Sequence, residues 1–146
     1  MSVQTEITRM ASEDFTQAMA KGRRQRLVRR LTGMNSALRS FTAVRNHKQL
    51  SGRRDIGLQL VPVNHIIGSV EQRQDFDRAF YPRSEHLEKR WVSIDKSYYQ
   101  DAALPPIVLV KVGEDYFVVD GHHRVSVART RSQLFIDAYV SEVDLS

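Results

Sequence analysis

Hydrophobic and polar positions along this chain change period as it proceeds, and each change marks an element. From Ser12, the residues Phe15, Met19, Leu27, Val28 and Leu31 recur at helical spacing. They predict an amphipathic helix that follows a loose lead-in over Met1–Ala11. Ser12 caps it, Glu13 and Asp14 lie in its first turn, Gly22 weakens or bends it, and Thr32-Gly33 stops it. A second helix is predicted from about Ser36 to Leu50, with Leu38, Phe41, Val44 and Leu50 on one side. Two amphipathic helices joined by a short loop form a helical hairpin. Ser51 to Asp55 then reads as a linker.

Beyond the linker the period falls to two. Ile56, Leu58 and Leu60 alternate, and Val61-Pro62-Val63 continues as an edge strand because Pro62 has no N–H for a ladder. His65 to Ser69 is expected as a turn into Val70–Arg73, and Asp75–Tyr81 as one or two helical turns closed by Pro82, with Phe76 and Phe80 in the core. Ser84 caps a clearer helix whose stripe Leu87, Trp91, Ile94 and Tyr98 packs on a sheet, leaving His86, Glu88, Lys89 and Arg90 wet. Ile107–Val112 and Tyr116–Val119 read as strands around a Gly113-Glu114-Asp115 loop. A helix starts at His122, Phe135–Val140 closes the sheet, and Glu142–Ser146 is a tail. The expected fold is α+β: a small mixed sheet with flanking helices over residues 55–146, preceded by a basic helical hairpin over residues 1–54.

The densest chemistry lies in Tyr116–Arg131. A buried strand ends at Asp120, Gly121 turns the chain, and a helix begins at His122. Such a junction gathers unpaired backbone N–H groups and the positive end of a helix dipole, which together attract anions. Arg124 adds a bidentate phosphate donor, and His122 and His123 add donors or a proton carrier. The plainer reading is an Asp120 N-cap, a turn glycine and a solvated His-His pair. Neighbouring helical residues point about 100° apart, which argues against a shared metal, and no metal ligands are assigned.

Asp120-Gly121-His122-His123-Arg124, followed by Val125 and Ala128, resembles the G-E-R-R-x-x-A box of ParB-type N-terminal domains. It is closer still to the D-G-H-H-R variant within the ParB/sulfiredoxin-like superfamily. Leu104-Pro105-Pro106-Ile107-Val108 is similar to the strand before that box, Phe135–Val140 to the strand after it, and Gln72-Arg73-Gln74-Asp75-Phe76 to the family's "QPR-x-F" segment. The likeness covers about Ile56 to Val140. It implies a ParB/sulfiredoxin-like fold and a cleft for a nucleotide, CTP or ATP, with Mg²⁺. In that cleft Gly68 and Ser69 would offer an N–H and a hydroxyl, Arg73 would meet phosphate, and Glu71 or Asp120 would act as base. Glu71 would alternatively be a metal-binding carboxylate; the plainer reading is a polar loop with Arg73 paired to Asp75 or Asp77. The chain lacks an evident E-N-x-x-R segment and the helix-turn-helix of partitioning proteins. It also lacks the cysteine that sulfiredoxins carry where His122 or His123 stands. The resemblance therefore implies a nucleotide-binding module with or without slow hydrolysis. The alternatives are a phosphotransferase on small molecules and a non-catalytic dimerisation scaffold.

Charge adds a second theme. Of the net +5, residues 1–60 hold twelve basic against four acidic groups, a local +8, leaving −3 for the remainder. Arg23, Arg24, Arg26, Arg29 and Arg30 would neutralise phosphates of DNA, or else form a solvated face that packs on the main domain or on a second subunit of a homodimer. The absence of cysteine removes disulfides and thiolate chemistry. No stretch reaches the ~18 apolar residues of a membrane span, and no signal-peptide core opens the chain, so a cytoplasmic protein is expected.

Overall fold

A 29-residue helix, α1 (Val3–Leu31), leads the computed structural model, which describes residues 2–41 and 50–145. It begins well before Ser12, because the Ser2 hydroxyl caps it by accepting from the Thr5 N–H at 3.1 Å. Its buried stripe is Ile7, Ala11, Phe15, Ala18, Met19 and Gly22. The alanines and the glycine are small, so the helix lies close to its neighbours. Gly22 does not interrupt α1; a Cβ there would stand 2.8 Å from Tyr81 Cβ, so the glycine admits Tyr81.

The second helix of the expected hairpin does not start at Ser36. Ala37 bridges Asp77, and Arg39–Ser40 forms strand β1, parallel to β3 (Ile66–Ser69). Gly68 makes this possible, since a Cβ there would lie 2.4 Å from the Arg39 carbonyl oxygen. The remainder of that expected helix, residues 42–49 with Val44, lies outside the described residues. Leu50 already belongs to β2 (Leu50–Pro62), which pairs antiparallel with β6 (Phe135–Leu145). The stretches expected as linker and tail are therefore paired strands, and the junction between residues 54 and 55 falls inside β2. Exposed cross-strand polar pairs, Arg54–Glu142 at 3.0 Å and Arg53–Ser141 at 2.8 Å, disguised them as loop.

After a 3₁₀ turn at Val63–His65, the expected turn at Ile66–Ser69 is strand β3. No helix forms over Asp75–Tyr81. Instead Asp77 Oδ1 accepts from the N–H groups of Ala79 (3.0 Å) and Tyr81 (2.9 Å), and Phe80 adopts φ +63°. Phe76 and Phe80 are both fully buried in the core. Ser84 caps a 3₁₀ turn, Glu85–Leu87, that runs into α2 (Glu88–Tyr99). Strands β4 (Ile107–Val112) and β5 (Asp115–Asp120) meet at a two-residue turn, Gly113-Glu114, and α3 (His122–Thr130) follows.

The fold is α+β, with a six-stranded mixed sheet in the order β1-β3-β5-β4-β6-β2. The main core joins one sheet face to α1, α2 and α3: Ile107, Leu109, Val118, Ile136 and Val140 meet Phe15, Trp91 and Val125. Trp91 is fully buried, donates to Ser126 Oγ at 2.9 Å, and meets Phe15 edge-on at 5.6 Å. A smaller cluster of Val110, Val112, Phe117 and Val143 occupies the other face, with Phe41 edge-on to Phe117 at 5.7 Å. Among the described residues, no helix is long and apolar enough to cross a membrane.

Candidate functional site

The chain turns from β5 into α3 at Gly121, whose φ of +113° is closed to most residues. A Cβ there would also lie 2.4 Å from Ile107 Cγ2, so β4 presses on the turn. Gly121, not Asp120, is the N-cap, and it provides no side-chain cap for the orphan N–H groups of the first helical turn. A cavity of about 210 Å³ opens at this end of α3, lined by Gly121, His122, His123, Arg124 and Asp120, with Arg73, Arg90, Ser93 and Ile94 from neighbouring segments.

Each polar group at this cavity has a definable state. Arg124 donates through Nη1 to the Pro105 carbonyl, while its buried Nε has no partner among the described residues. Arg73 makes a two-pronged ion pair with Asp75, both bonds 2.8 Å, and lies over the Phe76 ring at 5.4 Å. Its charge is thus largely met already, and Arg90 and Arg124 remain with the exposed carboxylate of Asp120.

The two imidazoles are buried, 6% and 9% exposed, against Phe76. Arg73 Nη1 donates to His122 Nδ1 at 3.3 Å, and a guanidinium cannot accept, so the ring proton sits on Nε2 and points to Ser69 Oγ at 2.7 Å. Burial, and then the Arg73 charge, push the His122 pKa down to about 4. Burial, and then Arg90, push His123 down to about 4 as well. Both rings are neutral at pH 7. His122 has both nitrogens engaged, whereas buried His123 Nε2 has no partner among the described residues. His123 is therefore the ring able to donate to, or accept from, a ligand.

These shifts carry a sign. A histidine whose folded pKa lies below its unfolded value near 6.5 binds fewer protons when folded, so stability is lost as pH falls from about 6.5 towards 4. Each ring should contribute about 2 kcal/mol to the loss between pH 7 and pH 5. Burial raises the carboxyls of Asp77 and Asp95, the latter to about 7, so both act oppositely and Asp95 does so from pH 7 downward, across this whole range. The histidine share is therefore read by difference: urea denaturation of His123→Gln should show a pH dependence shallower by about 2 kcal/mol than wild type. Parallel curves would mean His123 titrates normally.

The structure brings together Arg73, Asp120, Gly121, His122, His123 and Arg124 around one cavity. Gly68 and Ser69 stand behind it: Gly68 packs on β1, and Ser69 is fully buried with its hydroxyl on His122. Ser69 thus orients an imidazole and does not line the cavity. Glu71 is exposed and lies outside the lining. Arg90 was missed because α2 was divided into an apolar and a wet face; its spacing of three and four from Ser93 and Ile94 was the available signal.

The five arginines in the second half of α1 also separate. Arg26 pairs with buried Asp77 at 2.7 Å, and Arg29 donates to the Asn35 carbonyl at 3.1 Å. Arg23, Arg24 and Arg30 are exposed. Among the described residues, no group of three or more His, Asp or Glu side chains is placed to hold a metal ion. No protein-family model, curated protein or solved structure matches this chain.

Proposed function

We propose that the cavity at Gly121 binds the phosphate chain of a nucleoside triphosphate, CTP or ATP, in the manner implied by the resemblance to ParB-like domains. The observation that carries this reading is the buried, unpartnered pair of polar atoms, Arg124 Nε and His123 Nε2, at the open N-terminus of α3. Buried polar groups cost free energy unless satisfied, and an oxyanion satisfies both a guanidinium N–H and an imidazole N–H. Arg90 and the orphan N–H groups of α3 add to the attraction. At about 210 Å³ the cavity is smaller than the ~300–1,000 Å³ of sites that enclose drug-sized ligands. Phosphates therefore enter it while base and sugar stay towards solvent.

Asp120 is the acidic side chain at the mouth. Mg²⁺ bridging the phosphates needs only one or two protein carboxylates, so Asp120 fits as its contact. The same carboxylate supports a second reading, a phosphotransferase in which Asp120 takes the proton of an acceptor hydroxyl. Binding alone, slow hydrolysis and transfer separate by phosphate release with and without an acceptor alcohol. DNA contact falls to Arg23, Arg24 and Arg30 on exposed α1, and pairing of two copies to Leu27, Val28 and Leu31 beside them.

The test is a thermal-shift screen of CTP, ATP, GTP and ADP with Mg²⁺. At least one triphosphate should raise the Tm of wild type, and Arg124→Ala should weaken its affinity by about tenfold or more, the loss of one charge-assisted contact. If no nucleotide raises Tm, or Arg124→Ala responds like wild type, the site is wrongly placed.

A further inference from the structure

The opposite end of α3 borders a second basic cavity, of about 390 Å³, to which Arg29, Arg39, Arg78 and Arg129 contribute. These arginines come from α1, β1, the loop before α2 and the last turn of α3, so only the folded chain assembles them. Their anchors are neutral. Arg29 donates to the Asn35 carbonyl (3.1 Å), Arg78 to the Ala37 carbonyl (3.1 Å) and Arg129 to the Ile66 carbonyl (3.3 Å). Each of these bonds orients a guanidinium through one of its five N–H donors and leaves it without an ion pair among the described residues. Arg39 is exposed, and its side chain has no hydrogen-bond or ion-pair partner among the described residues.

The carboxylates that would balance these charges are scarce. Asp115 is the one acidic residue in the lining. The chain carries no Asp or Glu between Asp14 and Asp55, so the segment 42–49 cannot bring one in. Asp77, the nearby buried acid, is taken by Arg26. The arrangement holds like charges together at a cost: burial, then Arg39 and Arg29, lower the Arg78 pKa, and burial lowers that of Arg129. A multiply charged anion would relieve both the repulsion and the desolvation.

We propose that this second cavity binds a small ligand bearing at least two phosphoryl groups, independently of whatever occupies the glycine turn. A small ligand is favoured over a nucleic-acid backbone because Arg78 and Arg129 are recessed, with Arg129 more buried than exposed side chains of a contact stripe. The volume lies within the ~300–1,000 Å³ range of small-molecule sites. Gln25 and Asn64, also in the lining, offer neutral donors for phosphoryl oxygens or a hydroxyl.

Isothermal titration of the full chain with inorganic tripolyphosphate, orthophosphate and a single-stranded oligonucleotide tests this. Tripolyphosphate should bind wild type more tightly than orthophosphate, and Arg39→Gln and Arg78→Gln should each weaken it by about tenfold. Arg124→Ala, at the other end of α3, should leave a tripolyphosphate site with wild-type affinity. Should Arg78→Gln fail to fold, Arg39→Gln decides, because the Arg39 side chain holds nothing else in place. Wild-type affinity in Arg39→Gln, loss of all tripolyphosphate binding in Arg124→Ala, or binding of the oligonucleotide alone would each overturn the proposal. Failure here with a nucleotide still bound at Gly121 would leave the first site standing.

Discussion

Gly121→Ala is expected to destabilise the protein by about 2–6 kcal/mol, through two separate penalties. The first is conformational: φ at Gly121 is +113°, where an L side chain is strained by about 1–3 kcal/mol. The second is steric, because the new Cβ would stand 2.4 Å from Ile107 Cγ2 and 2.7 Å from Ile107 Cβ. Ile107 is buried and paired into the sheet, so relief requires moving β4 or α3, and overpacking of this kind costs about 1–3 kcal/mol. Gly113 is the control. Its φ is +63° with nothing within 4 Å of an added Cβ, so Gly113→Ala meets the strain alone. Urea denaturation of both variants compares the two costs. Equal losses would show that the contact with Ile107 contributes nothing.

Asp77→Ala should cost about 3–5 kcal/mol, as expected when one partner of a buried ion pair is removed. The Asp77 side chain is 2% exposed and that of Arg26 15% exposed, at 2.7 Å. Its second oxygen holds the N–H groups of Ala79 and Tyr81. Truncation therefore strands a guanidinium and frees the loop that carries Phe76, on whose ring both site histidines pack. Asp77→Asn keeps an oxygen for the two N–H groups and should fall between wild type and Asp77→Ala. Thermal and urea unfolding of both variants is the check, and a loss below about 1 kcal/mol for Asp77→Ala, the size of an exposed pair, would contradict it.

Elements with a strong local pattern were legible in the sequence. Ile107–Val112 is a strand to the residue, the Trp91 stripe is a helix face, and Gly121 starts α3 at His122 as its position after a β-branched run implied. What escaped were features whose cause is distant or small. The first turns of α1 bury Ile7 and Ala11 alone, too few positions to register as a hydrophobic stripe. Strand β1 exists because Gly68 admits it, and β2 before Asp55 because β6 continues past Val140. Phe76 and Phe80, four residues apart, imitated a helix where the Asp77 carboxylate organises a loop. At the site, Asp120 through Arg124 were found because they are contiguous. Arg90 was not, since it reaches the cavity from another helix. Ser69 reads as a ligand contact from sequence alone because its burial is invisible before folding.

In α1, hydrogen bonding and burial end at different places. The backbone ladder is unbroken to Leu31, but the last buried position is Gly22. From Arg23 onward the helix continues for about 14 Å at ~1.5 Å per residue. Leu27, Val28 and Leu31 there stay in water, and the Arg26–Asp77 clasp is the ion pair along that length. Opening free energy must therefore decline along one continuous rod, with the turns nearest Leu31 exchanging their amide protons soonest and those around Phe15 last. Past the Arg26–Asp77 clasp, what steadies the outer turns is the Arg29 bond to the Asn35 carbonyl, so fraying there loosens the approach to β1 before it reaches the core.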